Sequence, residues 1–312
     1  LFSKRNVFEK KFLIKPSRGE NQRLDVFLSE KIKDLSRSQV KGLIEDGRVL
    51  IDGNSRKPSY RLKENEFIQI KCEEKAEELV KPEDIALNIV YEDAHIVVLN
   101  KESGQVVHPG AGNRSHTLVN ALLFHFPSLT KIGPRERPGI VHRLDKETSG
   151  VMVTAKSRQA YEELKRQFRS REVSKMYTGL VWGRINDEVG RISLPLGRHI
   201  RNRKKISVKT NKPHEAETRY TVRKVYRDFT LLDISPVTGR THQIRVHLSA
   251  SGHPVVGDTK YGRKKTRVRC PRLFLHASKL TFKHPETNKL VEFSAELPQE
   301  LQDFLKKINK MT

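Results

Sequence analysis

The sequence predicts an α+β protein, a domain built on a mostly antiparallel sheet that follows a small helix–helix–hairpin unit. Three observations carry this. Apolar alternation comes in neighbouring pairs of segments, most plainly 218–225 with 229–234, and shows no regular strand–helix–strand rhythm. Residues 24–51 carry two runs of helical spacing and then a two-strand pattern around Asp52-Gly53. Between these regions, Glu73, Glu74, Glu77, Glu78 and Lys81-Pro82 form a charged stretch poor in large apolar residues. The chain is therefore divided into a basic segment at 1–18, a small unit at 19–72, a linker at 73–85 and a main domain at 86–312.

In the small unit, Leu24, Phe27, Leu28 and Ile32 share one helical face. Ser36 is placed to cap a second helix with Val40, Leu43 and Ile44 inward, and Gly47 ends it. Val49 and Ile51 alternate into the Asp52-Gly53 turn, and Phe67, Ile68 and Ile70 form the closing strand. In the main domain, 95–99, 150–156 and 176–182 read as strands. Ser157 caps a helix whose Tyr161, Leu164 and Phe168 share a face. Residues 218–225 and 229–234 form a hairpin. Residues 241–250 form a short helix with Ile244 and Leu248 inward and Gly252 beyond its end. A late strand at 273–282 and a terminal helix at 297–308 complete the domain.

The 312 residues suffice to bury a core without disulfide or metal staples. Lys and Arg number 61 against 37 Asp and Glu, a formal charge of +24. An excess of that size, clustered rather than interleaved with acids, points to a polyanionic partner, nucleic acid. The cations concentrate in two acid-free stretches. One holds Arg198, Arg201, Arg203, Lys204, Lys205, Lys209 and Lys212, and the other holds Lys260, Arg263, Lys264, Lys265, Arg267, Arg269 and Arg272. Both read as loops that grip phosphates, which makes affinity fall steeply with salt. Cys72 and Cys270 form no metal-binding pair and fit a reducing cytosol. No run reaches membrane-spanning length, and residues 1–15 are too basic and interrupted for the apolar part of a secretory signal. His242, His247 and His253 lie close in sequence, but arginines crowd them and no further ligand pattern completes a metal site.

The stretch that carries chemistry is Pro138-Gly139-Ile140-Val141-His142-Arg143-Leu144-Asp145-Lys146-Glu147-Thr148-Ser149-Gly150. It sets Asp145 among Arg143, Lys146 and His142. Neighbouring cations hold a carboxylate ionised, and an ionised carboxylate serves as nucleophile or base. His142-Arg143-Leu144-Asp145 followed by Thr148-Ser149-Gly150 resembles the signature of the RluA-type RNA pseudouridine synthases. Tyr177 in Ser174-Lys175-Met176-Tyr177, the run Gly239 to Leu248, and Val107 to Gly112 extend the resemblance in the same order. Arg23-Leu24-Asp25, Ser36-Arg37-Ser38 and Gly47-Arg48-Val49 resemble the RNA-binding domain named after ribosomal small-subunit protein four.

The resemblance implies the pseudouridine synthase fold, a long mixed sheet with a cleft on one face. It also implies an isomerisation: the N–C glycosidic bond of a uridine breaks, the uracil turns, and it rejoins the ribose through carbon. Product and substrate are isomers, so no cofactor and no metal is expected. Asp145 becomes the catalytic residue, either attacking the anomeric carbon or acting as the base of a glycal-type elimination. Arg245 is implied to pair with it, and Tyr177 to stack on the uracil or to serve in removing a proton. Arg143 is implied to fill the gap left by the extruded nucleoside. Strand alternation puts Lys175 on the Tyr177 face, and His142 joins the same substrate-facing group. Arg37, Lys41 and Arg48 are implied phosphate contacts, beside Arg198, Arg203, Lys204 and Lys264 of the basic stretches. Glu102 stands where the family often has a proline after Asn100-Lys101.

The expected partner is ribosomal RNA, with no membrane and a monomeric enzyme. Transfer RNA is the alternative substrate. A non-catalytic RNA chaperone or ribosome-assembly factor is the alternative class, against which the retained Asp145, Tyr177 and Arg245 speak. A glycosidase needs two carboxylates across the scissile bond, and the sequence offers no obvious second acid.

Overall fold

The computed structural model describes residues 7–13, 20–32, 35–73, 80–110, 112–202, 205–263, 266 and 268–311. It divides into two units, Leu1–Glu78 and Leu79–Thr312.

The first unit is a four-stranded antiparallel sheet in the order β1-β4-β2-β3, formed by β1 (Val7–Leu13), β2 (Val49–Ile51), β3 (Asn54–Ser55) and β4 (Phe67–Glu73). Two helices, α1 (Leu24–Lys31) and α2 (Arg37–Glu45), share its core. Leu24, Phe27, Leu28 and Ile32 from the α1 region meet Val40 and Ile44 of α2 and Ile51, Ile68 and Ile70 of the strands. The Ser36 hydroxyl accepts the Gln39 backbone N–H while the Gln39 side chain accepts the Ser36 N–H, closing a capping box. Asp52 and Gly53 both hold positive φ in the β2–β3 turn, as the sequence predicts. Strand β1 was not expected: 1–18 reads as a basic lead-in because Lys10 and Lys11 break the alternation.

The second unit is a nine-stranded sheet. Its strands are β5 (Ile89–Glu92), β6 (Ile96–Lys101), β7 (Ser149–Ala155), β8 (Ser174–Trp182), β9 (Val189–Ile192), β12 (Thr218–Val225), β13 (Phe229–Pro236), β14 (Leu275–Lys283) and β15 (Leu290–Ser294). They run in the order β5-β6-β7-β14-β8-β13-β12-β9, with β15 paired to β14. Every pairing is antiparallel except β7 with β14, which is parallel. That junction requires Gly150: at φ +121° it lies so close to β14 that an added Cβ would sit 2.2 Å from the Ala277 carbonyl oxygen. A small two-stranded ribbon, β10 (Gly197–Arg198) with β11 (Ile206–Ser207), stands apart from the sheet.

Helices α3 (Leu118–His125) and α4 (Arg158–Arg169) pack with β6 and β7 in one core. Ser157 caps α4 by accepting the Ala160 N–H. Helix α5 (Gln243–Ala250) contributes Ile244 and Leu248 to a second core with Leu232 and Ile234 of β13, and α6 (Gln299–Asn309) covers Phe229, Leu231 and Phe274. The stretch at 73–85, expected as a linker, differs in its last part. The Lys81 carbonyl accepts the Asn120 side chain at 2.7 Å and the Glu83 N–H donates to the Asn120 carbonyl at 3.0 Å, so residues 80–85 are docked on α3. Residues 74–79 lie outside the described residues.

Candidate active site

The loop that leads into β7 carries the carboxylate, and the strand end before it holds that loop in place. Lys101, at the end of β6, is fully buried. Its ammonium donates to the carbonyls of Glu102, Gln105 and Lys146 at 2.6, 2.9 and 3.3 Å. Ser103 donates to the Glu147 carbonyl at 2.8 Å, and the Gly104 N–H to that of Lys146 at 2.8 Å. Burial pushes the Lys101 pKa down to about 8, opposed by Glu147 and Asp145 nearby. At the far end of the loop, the Ser149 hydroxyl is shared between His276 Nδ1 at 2.8 Å and the Arg272 guanidinium at 2.9 Å. Asp145 is thus set between two pinned points and keeps 17% of its side chain exposed.

Opposite it, α5 presents Arg245. The start of α5 is anchored by Gln243, which donates to the Glu217 carbonyl at 2.8 Å and accepts from Thr238 at 2.6 Å. His242 precedes the helix at φ 55°, a left-handed conformation that costs histidine less than most residues. Its Nδ1 lies 2.8 Å from the Tyr261 hydroxyl. Arg245 Nη1 stands 3.6 Å from Asp145 Oδ2. Its closer partner is Asp258: Nε and Nη2 donate to the two Asp258 oxygens at 2.7 and 2.8 Å, a bidentate pair whose side chains are 5% and 0% exposed. The Tyr261 ring lies 5.3 Å from the guanidinium carbon.

Burial by itself would raise the Asp258 carboxyl, but Arg245 and the backbone N–H groups of Tyr261 and Lys260 outweigh it and hold it below the usual range. Burial likewise opposes the Arg245 charge, and Asp258 with Asp145 outweighs it. The sequence reading found no second acid. The structure supplies one, already fully engaged by the guanidinium. Gly257 places it: at φ +76°, a Cβ there would meet the Arg272 carbonyl oxygen at 1.9 Å.

Asp145 and Arg245 line a cleft of about 490 Å³ with Tyr177, Lys175, His142 and Arg143, so six of the sequence-predicted residues converge. Tyr177 lies on β8, opposite Ile234 of β13 and Ala277 of β14. Burial and the Asp145 charge raise its pKa above that of an ordinary phenol, so it is a neutral hydroxyl at neutral pH. Lys175 shares its face, and burial with the Arg171 charge lowers its pKa. Arg143 is exposed at the mouth.

His142 corrects the expectation that cations on every side surround Asp145. Its Nε2 accepts the Val153 N–H at 3.0 Å and its ring stacks on Phe168 at 4.4 Å between centroids. Burial, with the Lys175 charge, pushes its pKa down to about 3, so it is neutral and holds the loop to β7.

The remaining predicted contacts lie elsewhere. Arg37 is exposed on α2, with its guanidinium held by the buried Asp25 at 2.9 and 3.0 Å, and Arg23 shares that carboxylate. Lys41 pairs with Glu45 at 3.5 Å one turn along the same helix, and Arg48 is exposed after it. Arg198 lies on β10 at the rim of a neighbouring concavity. Arg203, Lys204 and Lys264 lie outside the described residues. Arg272, grouped with the phosphate-gripping cations by sequence, is instead tied to Glu300 at 2.9 Å and to Ser149. His247 spans Thr218 and the Leu194 carbonyl, and His253 bonds the Trp182 carbonyl. Among the described residues, no group of three or more His, Cys, Asp or Glu side chains is arranged to hold a metal ion.

Chemically, the cleft offers one accessible carboxylate, a fixed cation beside it, an aromatic face and further cations at the mouth. Lys101, Asp258, His242 and Tyr261 are the participants that sequence reading missed. Lys101 had a signal in the sequence, a lone cation closing the apolar run Ile96–Leu99, whereas Asp258 lies just before the second basic stretch with no local mark.

Comparison with known proteins agrees on what this arrangement is similar to. Residues 95–250 match the family model for RNA pseudouridylate synthase, and residues 22–68 match the S4 domain. An uncharacterised RNA pseudouridine synthase of Aquifex aeolicus is 46% identical over 291 residues, 90% of this chain and 92% of that protein. The ribosomal large subunit pseudouridine synthase D of Xanthomonas campestris is 40% identical over 299 residues, 92% of this chain and 89% of that protein. The solved structure of human RNA pseudouridylate synthase domain containing 1 aligns with a TM-score of 0.57 at 28% identity, covering 72% of this chain and 95% of that one.

Proposed function

Because the chain belongs to the RNA pseudouridylate synthase family, we propose that it converts uridines of large-subunit ribosomal RNA to pseudouridine with Asp145 as the reacting carboxylate. The observation that carries this is the asymmetry of the two acids. Asp258 is 0% exposed with both oxygens on Arg245, while Asp145 faces the cleft at 17% exposure. Only Asp145 can reach a ribose, whether it attacks the anomeric carbon or removes a proton from the sugar. A two-carboxylate glycosidase reading fails on the same ground, since the second acid has no free oxygen to offer.

Arg245 stabilises the Asp145 anion without neutralising it, because its own charge is already balanced by Asp258. Tyr177, held as a phenol, supplies a ring face for the uracil and a hydroxyl donor, which supports a stacking role better than one as a phenolate base. Arg143, exposed and planar at the cleft mouth, fits the place vacated by an extruded nucleoside. The S4 unit adds Arg37 and Lys41 one turn apart on α2 as phosphate contacts. The large-subunit substrate rests on the names of similar proteins such as that of Xanthomonas campestris. The buried free thiol of Cys270 fits a reducing cytosol.

The test is a map of pseudouridines in total RNA from cells with and without this protein. Loss at defined large-subunit positions is expected. Loss confined to transfer RNA would overturn the substrate, and no loss at all would overturn the activity.

A further inference from the structure

Beside the catalytic cleft lies a second concavity of about 630 Å³. Arg240 and Thr241 line both, so the two share one rim. Its size falls in the range of about 300–1,000 Å³ typical of small-ligand sites. The β10–β11 ribbon and the segment that returns to bridge Leu196 with His214 form its walls.

The lining has two characters. Arg198, Lys212 and Arg240 contribute positive charge, and among the described residues no carboxylate lines the concavity. The floor is apolar, from buried Leu196 and half-buried Ile206, and Ile200 stands at the lip with 56% of its surface exposed. Next to it, the His199 ring is fixed. Its Nδ1 accepts the backbone N–H groups of both Arg201 and Asn202 at 3.1 Å, which leaves the proton on Nε2. A rigid flat ring beside an aliphatic side chain suits the face of a base, and the cations suit the phosphodiester attached to it.

We propose that this concavity seats the base of a nucleotide that flanks the target uridine and leaves the RNA stack with it. The enzyme then reads two unstacked bases, one in the cleft and one beside it, across the rim formed by Arg240 and Thr241. Sequence-specific RNA recognition is concentrated on such splayed bases, so the second seat selects which uridine enters the first. This inference rests on the isomerase reading, and its test separates the two.

The probe is an RNA hairpin carrying a mapped target uridine, with each neighbouring nucleotide replaced in turn by an abasic one. Turnover of the intact hairpin by the wild-type enzyme establishes the isomerase reading, and its absence would overturn that reading itself. One abasic position should lower kcat/KM roughly ten-fold, the loss expected for one base–ring stack. His199→Ala and Ile200→Ala should lower kcat/KM on intact RNA by a similar factor and cause no further loss on that abasic RNA. Asn211→Trp, at an exposed position on the lining, should block intact RNA and be relieved by the same abasic position. It carries the test if the ribbon variants fail to fold. Losses that multiply at every position, or variants that match wild type, would overturn the proposal.

Discussion

Asp258→Asn isolates the part of the site that sequence reading did not reach. The substitution keeps the shape of the side chain and removes the charge that balances Arg245. Both partners are nearly excluded from water, at 5% and 0% exposed. Removing one partner of such a pair costs about 3–5 kcal/mol, because the other charge stays buried. The guanidinium then has one remaining anion, Asp145, with Nη1 at 3.6 Å from its oxygen. That gap is about 0.8 Å longer than a charge-assisted hydrogen bond, and closing it moves either the arginine or the reacting carboxylate. Misplacement on the order of 1 Å can cost about a hundred-fold in rate. Single-turnover isomerisation of a hairpin RNA should therefore show kcat lowered by about a hundred-fold with KM little changed. Urea unfolding of the same variant should show the stability loss. A variant with wild-type kcat and wild-type stability would refute the claim that Asp258 sets the position of Arg245.

Two further outcomes follow from the packing and from burial. Gly150→Ala should destabilise the enzyme by about 3 kcal/mol or more in urea unfolding, because its Cβ meets the Ala277 backbone 2.2 Å away at the parallel β7–β14 junction. A loss under 1 kcal/mol, on the order of a tolerated core swap, would contradict that geometry. His142, whose pKa falls from 6.5 to about 3 on folding, binds a proton in the unfolded chain before it does so in the native one. Its contribution is full above about pH 6.5 and declines by about 1.4 kcal/mol per pH unit toward about pH 3. His142→Gln, neutral and long enough to place an acceptor where Nε2 meets the Val153 N–H, should remove about 2 kcal/mol of the wild-type stability loss between about pH 6.5 and 5. Parallel pH–stability curves for the two proteins would contradict a buried neutral imidazole.

What the sequence revealed were features fixed by local chemistry. Ser36 marks the start of α2, Ser157 marks α4, and Asp52-Gly53 marks a hairpin, because caps and turns are settled within a few residues. The order of the motif blocks placed Asp145, Tyr177 and Arg245, which the fold brings to one cleft. Features fixed by tertiary contact were not legible. Asp258 reads as one more surface acid until the fold sets it on Arg245 from a separate loop. His142 reads as a cation beside Asp145 until Phe168 and the Val153 N–H enclose it. Strand β1 was hidden because Lys10 and Lys11 interrupt the apolar alternation by which a strand is read, while its pairing with β4 is made by the backbone. Arg272 resembled its basic neighbours by composition, but Glu300 and Ser149 make it structural.

In the proposed reaction one carboxylate, Asp145, acts while the rest of the cleft binds and orients. Asp145→Asn, assayed by single turnover and by RNA binding with the same hairpin, tests it most directly. The variant is expected to bind as tightly as wild type and to form no pseudouridine. Isomerisation at the wild-type rate, or a loss of turnover matched by an equal loss of binding, would contradict it.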